Sequence, residues 1–72
     1  MPRVDMTETG KRIKGMCDDR GMTAVDVAQA VGVTTVAVYK WFRGASVPSI
    51  DNVVVIAAMF GAKIDDVIAV AT

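Results

Sequence analysis

The sequence predicts an all-α domain, a compact bundle of five short helices, and three observations carry that prediction. Apolar residues recur at helical spacing in successive segments, Asp, Thr or Ser stands at the opening of each, and Gly or Pro separates one from the next. No segment has the alternation and turn signal of a β-hairpin. In the first segment Asp5, with Glu8 three positions on, has the form of an N-terminal capping box. Ile13, Met16, Cys17 and Arg20 then follow at helical spacing as far as Gly21. Thr23 and Asp26 repeat the capping pattern, and Val27, Ala28 and Val31 line one side of a second helix that ends at Gly32.

Thr34 caps a third helix, in which Val38, Trp41 and Phe42 stand at i, i+3 and i+4 before Gly44 supplies the stop. Only Gly32 and Val33 separate the second helix from this cap. So short a connection forces a sharp change of direction, and glycine tolerates the positive φ such a turn requires. The pair, about residues 23 to 43, reads as a helix-turn-helix. Pro48 breaks the chain again, Ser49 caps, and Asp51 places a negative charge at the favoured end of a fourth helix that runs to Phe60 and stops at Gly61. The run from Val53 to Ile56 is compatible with a strand, but Asp51, the pair Ala57 and Ala58, and a length of about ten residues favour a helix. Ile64, Val67, Ile68 and Ala71 form the fifth amphipathic piece, opened by Asp65 and Asp66.

Composition narrows the function. The 72 residues suit a single domain, 1 to 72, and a 53% hydrophobic content with a mean hydropathy of +0.42 excludes intrinsic disorder. Eight basic residues balance eight acidic ones, so no global basic field exists and any nucleic-acid binding has to be local. With one cysteine, Cys17, and no histidine, neither a metal site nor an internal disulfide is expected. The chain also lacks a serine elbow, a glycine-rich phosphate loop and an evident carboxylate pair, so it is not expected to be an enzyme or to hold a cofactor. The longest near-apolar run, Val53 to Phe60, falls far short of the roughly 20 residues that span a bilayer. A soluble, cytoplasmic protein without a small-molecule ligand is expected.

The residues Gly21-Met22-Thr23, Val27-Ala28, Gly32-Val33, Val38, Lys40-Trp41, Gly44, Pro48, Ala57, Phe60-Gly61 and Asp65-Asp66-Val67-Ile68 resemble the Cro and repressor type of helix-turn-helix DNA-binding domain, the XRE family. The resemblance spans about Thr7 to Ile68. It implies a lambda-repressor-like fold and a sequence-specific transcriptional regulator of bacterial or phage origin, more often a repressor, bound to double-stranded DNA. In such proteins the third helix enters the major groove while the second lies across the backbone. Carried over residue by residue, the resemblance places Thr35, Val36, Ala37, Tyr39 and Lys40 at base-reading positions and Thr34 and Arg43 at backbone-contacting ones. The chemistry agrees: Lys40 can donate to guanine O6 and N7, and Val36 and Ala37 can pack on a thymine methyl group. Thr23 and Ser49, at the starts of helices two and four, are candidate phosphate contacts.

Two positions depart from the family pattern. Where a glutamine commonly follows the threonine this chain has Ala24, so one side-chain contact is lost. The family often pairs a basic residue on helix one with a glutamate on helix three, and here those positions are Cys17 and Phe42, an apolar combination.

Helix four carries apolar residues without interruption from Val53 to Phe60. If Val53, Ile56, Ala57 and Phe60 face the core, Val54, Val55 and Ala58 face elsewhere, and with Ile68 and Val70 they form a candidate partner surface. A homodimer on two half-sites about 34 Å apart is the expected arrangement. The alternative is a protein-interaction module, such as an antitoxin or adaptor, that keeps the helix-turn-helix shape and uses its apolar face.

Overall fold

The computed structural model describes all residues, Met1–Thr72. Five helices follow one another: α1 (Met6–Asp19), α2 (Ala24–Val31), α3 (Thr35–Phe42), α4 (Ile50–Phe60) and α5 (Ile64–Val67). A two-residue strand lies at each end, β1 (Arg3–Val4) and β2 (Val70–Ala71). The expected helix boundaries hold for the first four, because each opens on the side chain identified for it. Asp5, Thr23, Thr34 and Ser49 each accept a hydrogen bond from the backbone N–H three residues on.

The two ends of the chain differ from expectation. The capping box at Asp5 is only half made: its Oδ1 accepts from the N–H of Glu8 at 3.0 Å, but its own N–H donates to the Ala69 carbonyl at 2.8 Å. That bond lies beside an antiparallel pairing of Arg3 with Ala71 and Val4 with Val70. Ala71 is therefore in a strand and not in the fifth helix, which is a single turn ending at Val67. A pairing between two-residue strands at opposite ends of the chain, Arg3 with Ala71 and Val4 with Val70, leaves no local turn signal in the sequence.

Two side chains of α1 fasten this C-terminal segment. The Arg12 guanidinium donates to the carbonyls of Asp65 at 3.0 Å and Ile68 at 3.2 Å. The fully buried Thr9 hydroxyl accepts from the N–H of Ala69 at 3.0 Å. Replacing Thr9 by Val keeps the shape and strands the buried N–H, so Thr9→Val is expected to cost about 1–3 kcal/mol in urea unfolding. Amide exchange at Ala69 and Val70 should rise with it.

The core is drawn from every helix: Ile13 and Cys17 of α1, Val27 and Ala28 of α2, Val38 and Trp41 of α3, Val53, Ile56, Ala57 and Phe60 of α4, and Val67 of α5. The predicted inward face of α4 is thus the observed one. Phe42, counted with the core from its spacing, is half-buried at the edge of it. Ile68, expected on the partner surface, is instead packed against the core, and its neighbour Ala69 is buried. The C-terminal segment turns these side chains inward once Thr9 and Arg12 hold it down. Burial pushes the Cys17 thiol above its ordinary pKa, with the Asp18 carboxylate adding to the effect. A buried thiol kept protonated is inert.

α1 and α3 approach unusually closely. A Cβ built on Gly10 would stand 2.0 Å from the Trp41 carbonyl oxygen and 3.0 Å from that of Phe42. Just beyond, Gly44 takes φ +74° and lies against the backbone of Thr7. Glycine at these two places lets the first helix lie directly on the C-terminal end of the third.

Candidate nucleic-acid interface

The helix-turn-helix is built by local hydrogen bonds that the sequence encodes directly. At the start of α2, Thr23 Oγ1 accepts from the N–H of Asp26 at 3.2 Å while Asp26 Oδ2 accepts from the N–H of Thr23 at 2.8 Å, a complete capping box. At its end Gly32 adopts φ +83°, and the N–H groups of Gly32 and Val33 both donate to the Ala28 carbonyl, at 2.9 and 3.0 Å. Thr34 then caps α3, accepting from the N–H of Ala37 at 3.2 Å. Val38 and Trp41 anchor α3 from behind, buried against α1 and α2. Eight residues with two large buried anchors make a short, rigid bar.

Its outer face is only partly the one expected. Val36 is 64% exposed and Tyr39 52% exposed, and Lys40 and Arg43 are also exposed. Thr35 and Ala37 are half-buried, Ala37 against the core. Three of the five proposed base-reading side chains, Val36, Tyr39 and Lys40, therefore stand clear of the domain together. Tyr39 does two things at once. Its ring meets that of Phe42 edge to face, with centroids 6.1 Å apart, and the rest of it projects into solvent.

Charge distinguishes α3 from every other helix. α1 carries Glu8, Asp18 and Asp19, α2 carries Asp26, α4 carries Asp51, and α5 carries Asp65 and Asp66, whereas α3 has no acidic residue and has Lys40 in its last turn. The zero net charge is thus distributed unevenly: α3 and its C-cap residue Arg43 carry two basic side chains and no acidic one. Thr34 accordingly opens the one helix whose positive dipole end no carboxylate of its own first turn offsets. The starts of α2 and α4, where Thr23 and Ser49 are exposed, each have a carboxylate in the first turn. Both hydroxyl oxygens already accept a capping bond, at 3.2 and 3.3 Å, which leaves the hydroxyl proton free to donate to an anion. Ala24, the position of the absent glutamine, is buried.

A second surface lies on α4. Val54 and Val55 are exposed, as is Ala58, and Ile50, not among the expected surface residues, is 66% exposed. Positions 50, 54, 55 and 58 share one side of a helix. Their spacing was the available signal for Ile50, obscured by its place beside the cap. Ile68 does not join this surface, and Val70 lies exposed in β2.

No group of three or more His, Cys, Asp or Glu side chains converges on a point that could hold a metal ion. The one hollow, about 340 Å³, is open to solvent between the N-terminal segment, Gly44 and Ala71. No helix is long and apolar enough to cross a membrane.

Comparison with known proteins agrees with this architecture. A family model described as helix-turn-helix matches residues 13–67, more than half of the chain. Among solved structures, the restriction-modification controller protein C.AhdI from Aeromonas hydrophila superimposes with a TM-score of 0.79 at 19% identity, covering 88% of this chain and 96% of that one. The clp gene regulator ClgR from C. glutamicum gives a TM-score of 0.77 at 22% identity, covering 90% of this chain and 84% of its own. Identities this low speak for the fold. Comparison with curated proteins by sequence found no match.

Proposed function

This chain belongs to the helix-turn-helix family, and from that premise we propose that it is a sequence-specific DNA-binding transcriptional regulator that acts as a repressor and binds as a homodimer. The observation that carries the reading is the outer face of α3: Val36, Tyr39, Lys40 and Arg43 exposed together on the one helix without an acidic residue. In the major groove Lys40 donates to guanine, Val36 packs on a thymine methyl, and Tyr39 offers its ring or its hydroxyl. Thr34 and Arg43 hold phosphates at the two ends of α3, with Thr23 and Ser49 helping from α2 and α4. The apolar stripe of α4 supplies the contact with a second copy, so that two recognition helices meet two half-sites. Bound in this way the dimer obstructs polymerase.

The test is selection from a randomised duplex library by the purified protein at near-physiological salt. Enrichment of a two-fold symmetric site is the expected result. Absence of enrichment would move the function to the apolar stripe of α4 and a protein partner, as in an antitoxin or adaptor.

Substitutions separate the two kinds of contact. Lys40→Ala is expected to relax base preference at one position of the site, at a cost of about 1–3 kcal/mol against the preferred base. Arg43→Ala should instead weaken binding to all sequences alike and lower the slope of log affinity against log salt by about one. Titration of the selected and a scrambled duplex at several salt concentrations reads both. Unchanged affinity in both variants would remove α3 as the reader.

A further inference from the structure

Val36 is an apolar side chain in an unfavourable place. It is 64% exposed in the first turn of α3 and takes no part in the core, and as a β-branched residue it supports a helix less well than alanine or a long polar side chain would. A single exposed valine is ordinary on a protein surface. This one shares its surroundings with Tyr39, Lys40 and Arg43, which follow it at i+3, i+4 and i+7 and are exposed on the same side of the helix.

The polar groups on that side are mostly donors. Lys40 and Arg43 only donate, and α3 contains no Asp, Glu, Asn or Gln. The side-chain acceptors left on the helix are the hydroxyls of Tyr39 and of the half-buried Thr35. In the major groove a carboxylate picks out cytosine by accepting from its N4 amino group, and the amide of Asn or Gln picks out adenine by a paired donor and acceptor. α3 has neither. Ala24, at the start of α2, is buried and adds no reading group. What the face offers in full is a cation for the O6 and N7 acceptors of guanine and an apolar surface for a C5-methyl group. Valine distinguishes a methyl group from a hydrogen atom. Having no hydrogen-bonding group, it does not distinguish the O4 acceptor of thymine from the N4 donor of cytosine.

We propose that Val36 reads the C5-methyl group of a pyrimidine and not the base that carries it, so that 5-methylcytosine is accepted in the place of thymine while unmodified cytosine is discriminated against. The inference rests on the DNA-binding reading above and names the feature of the duplex that this residue selects. Thymine and 5-methylcytosine present the methyl at the same ring position on the major-groove edge, and the valine packs on either. Lys40 lies about 6 Å further along the helix axis. With base pairs stacked about 3.4 Å apart, the guanine it reads is about two base pairs from the methylated pyrimidine. Cytosine methylation at that position thereby raises affinity, and the same face that reads sequence responds to modification of the DNA.

The experiment starts from the duplex that the wild type selects. Each thymine is replaced in turn by deoxyuridine, which removes the methyl group alone, and the series is compared by anisotropy titration at one salt concentration. One position in each half-site is expected to lose affinity about threefold to fourfold, the effect of a single buried methyl group. A C·G pair at that position should bind more weakly than T·A, and 5-methylcytosine in that pair should recover about threefold to fourfold. Val36→Ala should melt close to the wild type, since the side chain is exposed. It should lose the preference for thymine over deoxyuridine and for 5-methylcytosine over cytosine, and keep the guanine preference that Lys40 supplies. Deoxyuridine that binds as well as thymine at every position overturns the proposal. A methyl effect that survives in Val36→Ala overturns it as well, because another residue then makes the contact. So does a thymine preference that 5-methylcytosine fails to recover, because O4 is then what is read. If the wild type enriches no sequence, the DNA-binding reading fails and this contact with it. If it enriches a site on which the methyl groups have no effect, that reading stands and the role of Val36 alone falls.

Discussion

Gly10→Ala is expected to leave the protein unfolded, or folded with a melting temperature lower by an amount on the order of 10–20 °C. The added Cβ would stand 2.0 Å from the Trp41 carbonyl oxygen, and the obstacle is backbone, which no rotamer change can move aside. α1 and α3 have to separate, and overpacking of this kind costs about 3 kcal/mol or more. For a domain of this length each kcal/mol shifts the melting temperature by roughly 4–8 °C. Gly15, one and a half turns further along the same helix, is the internal control. A Cβ there meets nothing within 4 Å, so Gly15→Ala should stabilise α1 by about 0.5–1 kcal/mol through the lower conformational freedom of alanine. Thermal unfolding of the two variants tests the close approach directly. Wild-type stability in Gly10→Ala would mean that the first and third helices do not touch in solution as described.

Trp41→Ala should produce the second large effect, a loss of about 3–5 kcal/mol in urea unfolding, because a large buried side chain is removed from the junction of α1, α2 and α3. A whole small domain has a stability of only about 5–15 kcal/mol, so the variant should be partly unfolded at physiological temperature. Phe42→Ala, half-buried at the edge of the same cluster, should cost clearly less. The functional consequence follows from the mounting of α3. Trp41 lies on its inward side, so any folded fraction of Trp41→Ala should bind every duplex more weakly without a change in base preference. A shift in preference instead would place the indole among the reading groups.

The helices were legible because their determinants are local. A Thr23 hydroxyl that meets the Asp26 N–H, a Gly32 with positive φ, and a Ser49 cap behind Pro48 all act within a few residues, and residue order alone specifies them. The core face of α4, and Val38 and Trp41 of α3, followed from spacing for the same reason. The exposed face of α3 was legible in outline. Val36, Tyr39, Lys40 and Arg43 are exposed on one helix as expected, while Thr35 and Ala37 turned out half-buried. A residue at the margin of a helical face is assigned to solvent or core only by what packs beside it.

By itself, then, the sequence determined the order and capping side chains of four helices, the inward face of α4, the turn that makes two of them a helix-turn-helix, and the absence of any acidic residue on the third. Tertiary structure decided the rest. It turned the segment after α5 into a strand, drew Ile68 inward, withdrew half of the Asp5 capping box to bind Ala69, and brought Lys14 of α1 over Phe42 of α3. Each of these depends on groups far apart in the chain whose meeting has no signature in local periodicity. A capping bond closes within one turn, whereas a bond such as that between Thr9 and Ala69 forms only after the intervening helices have packed.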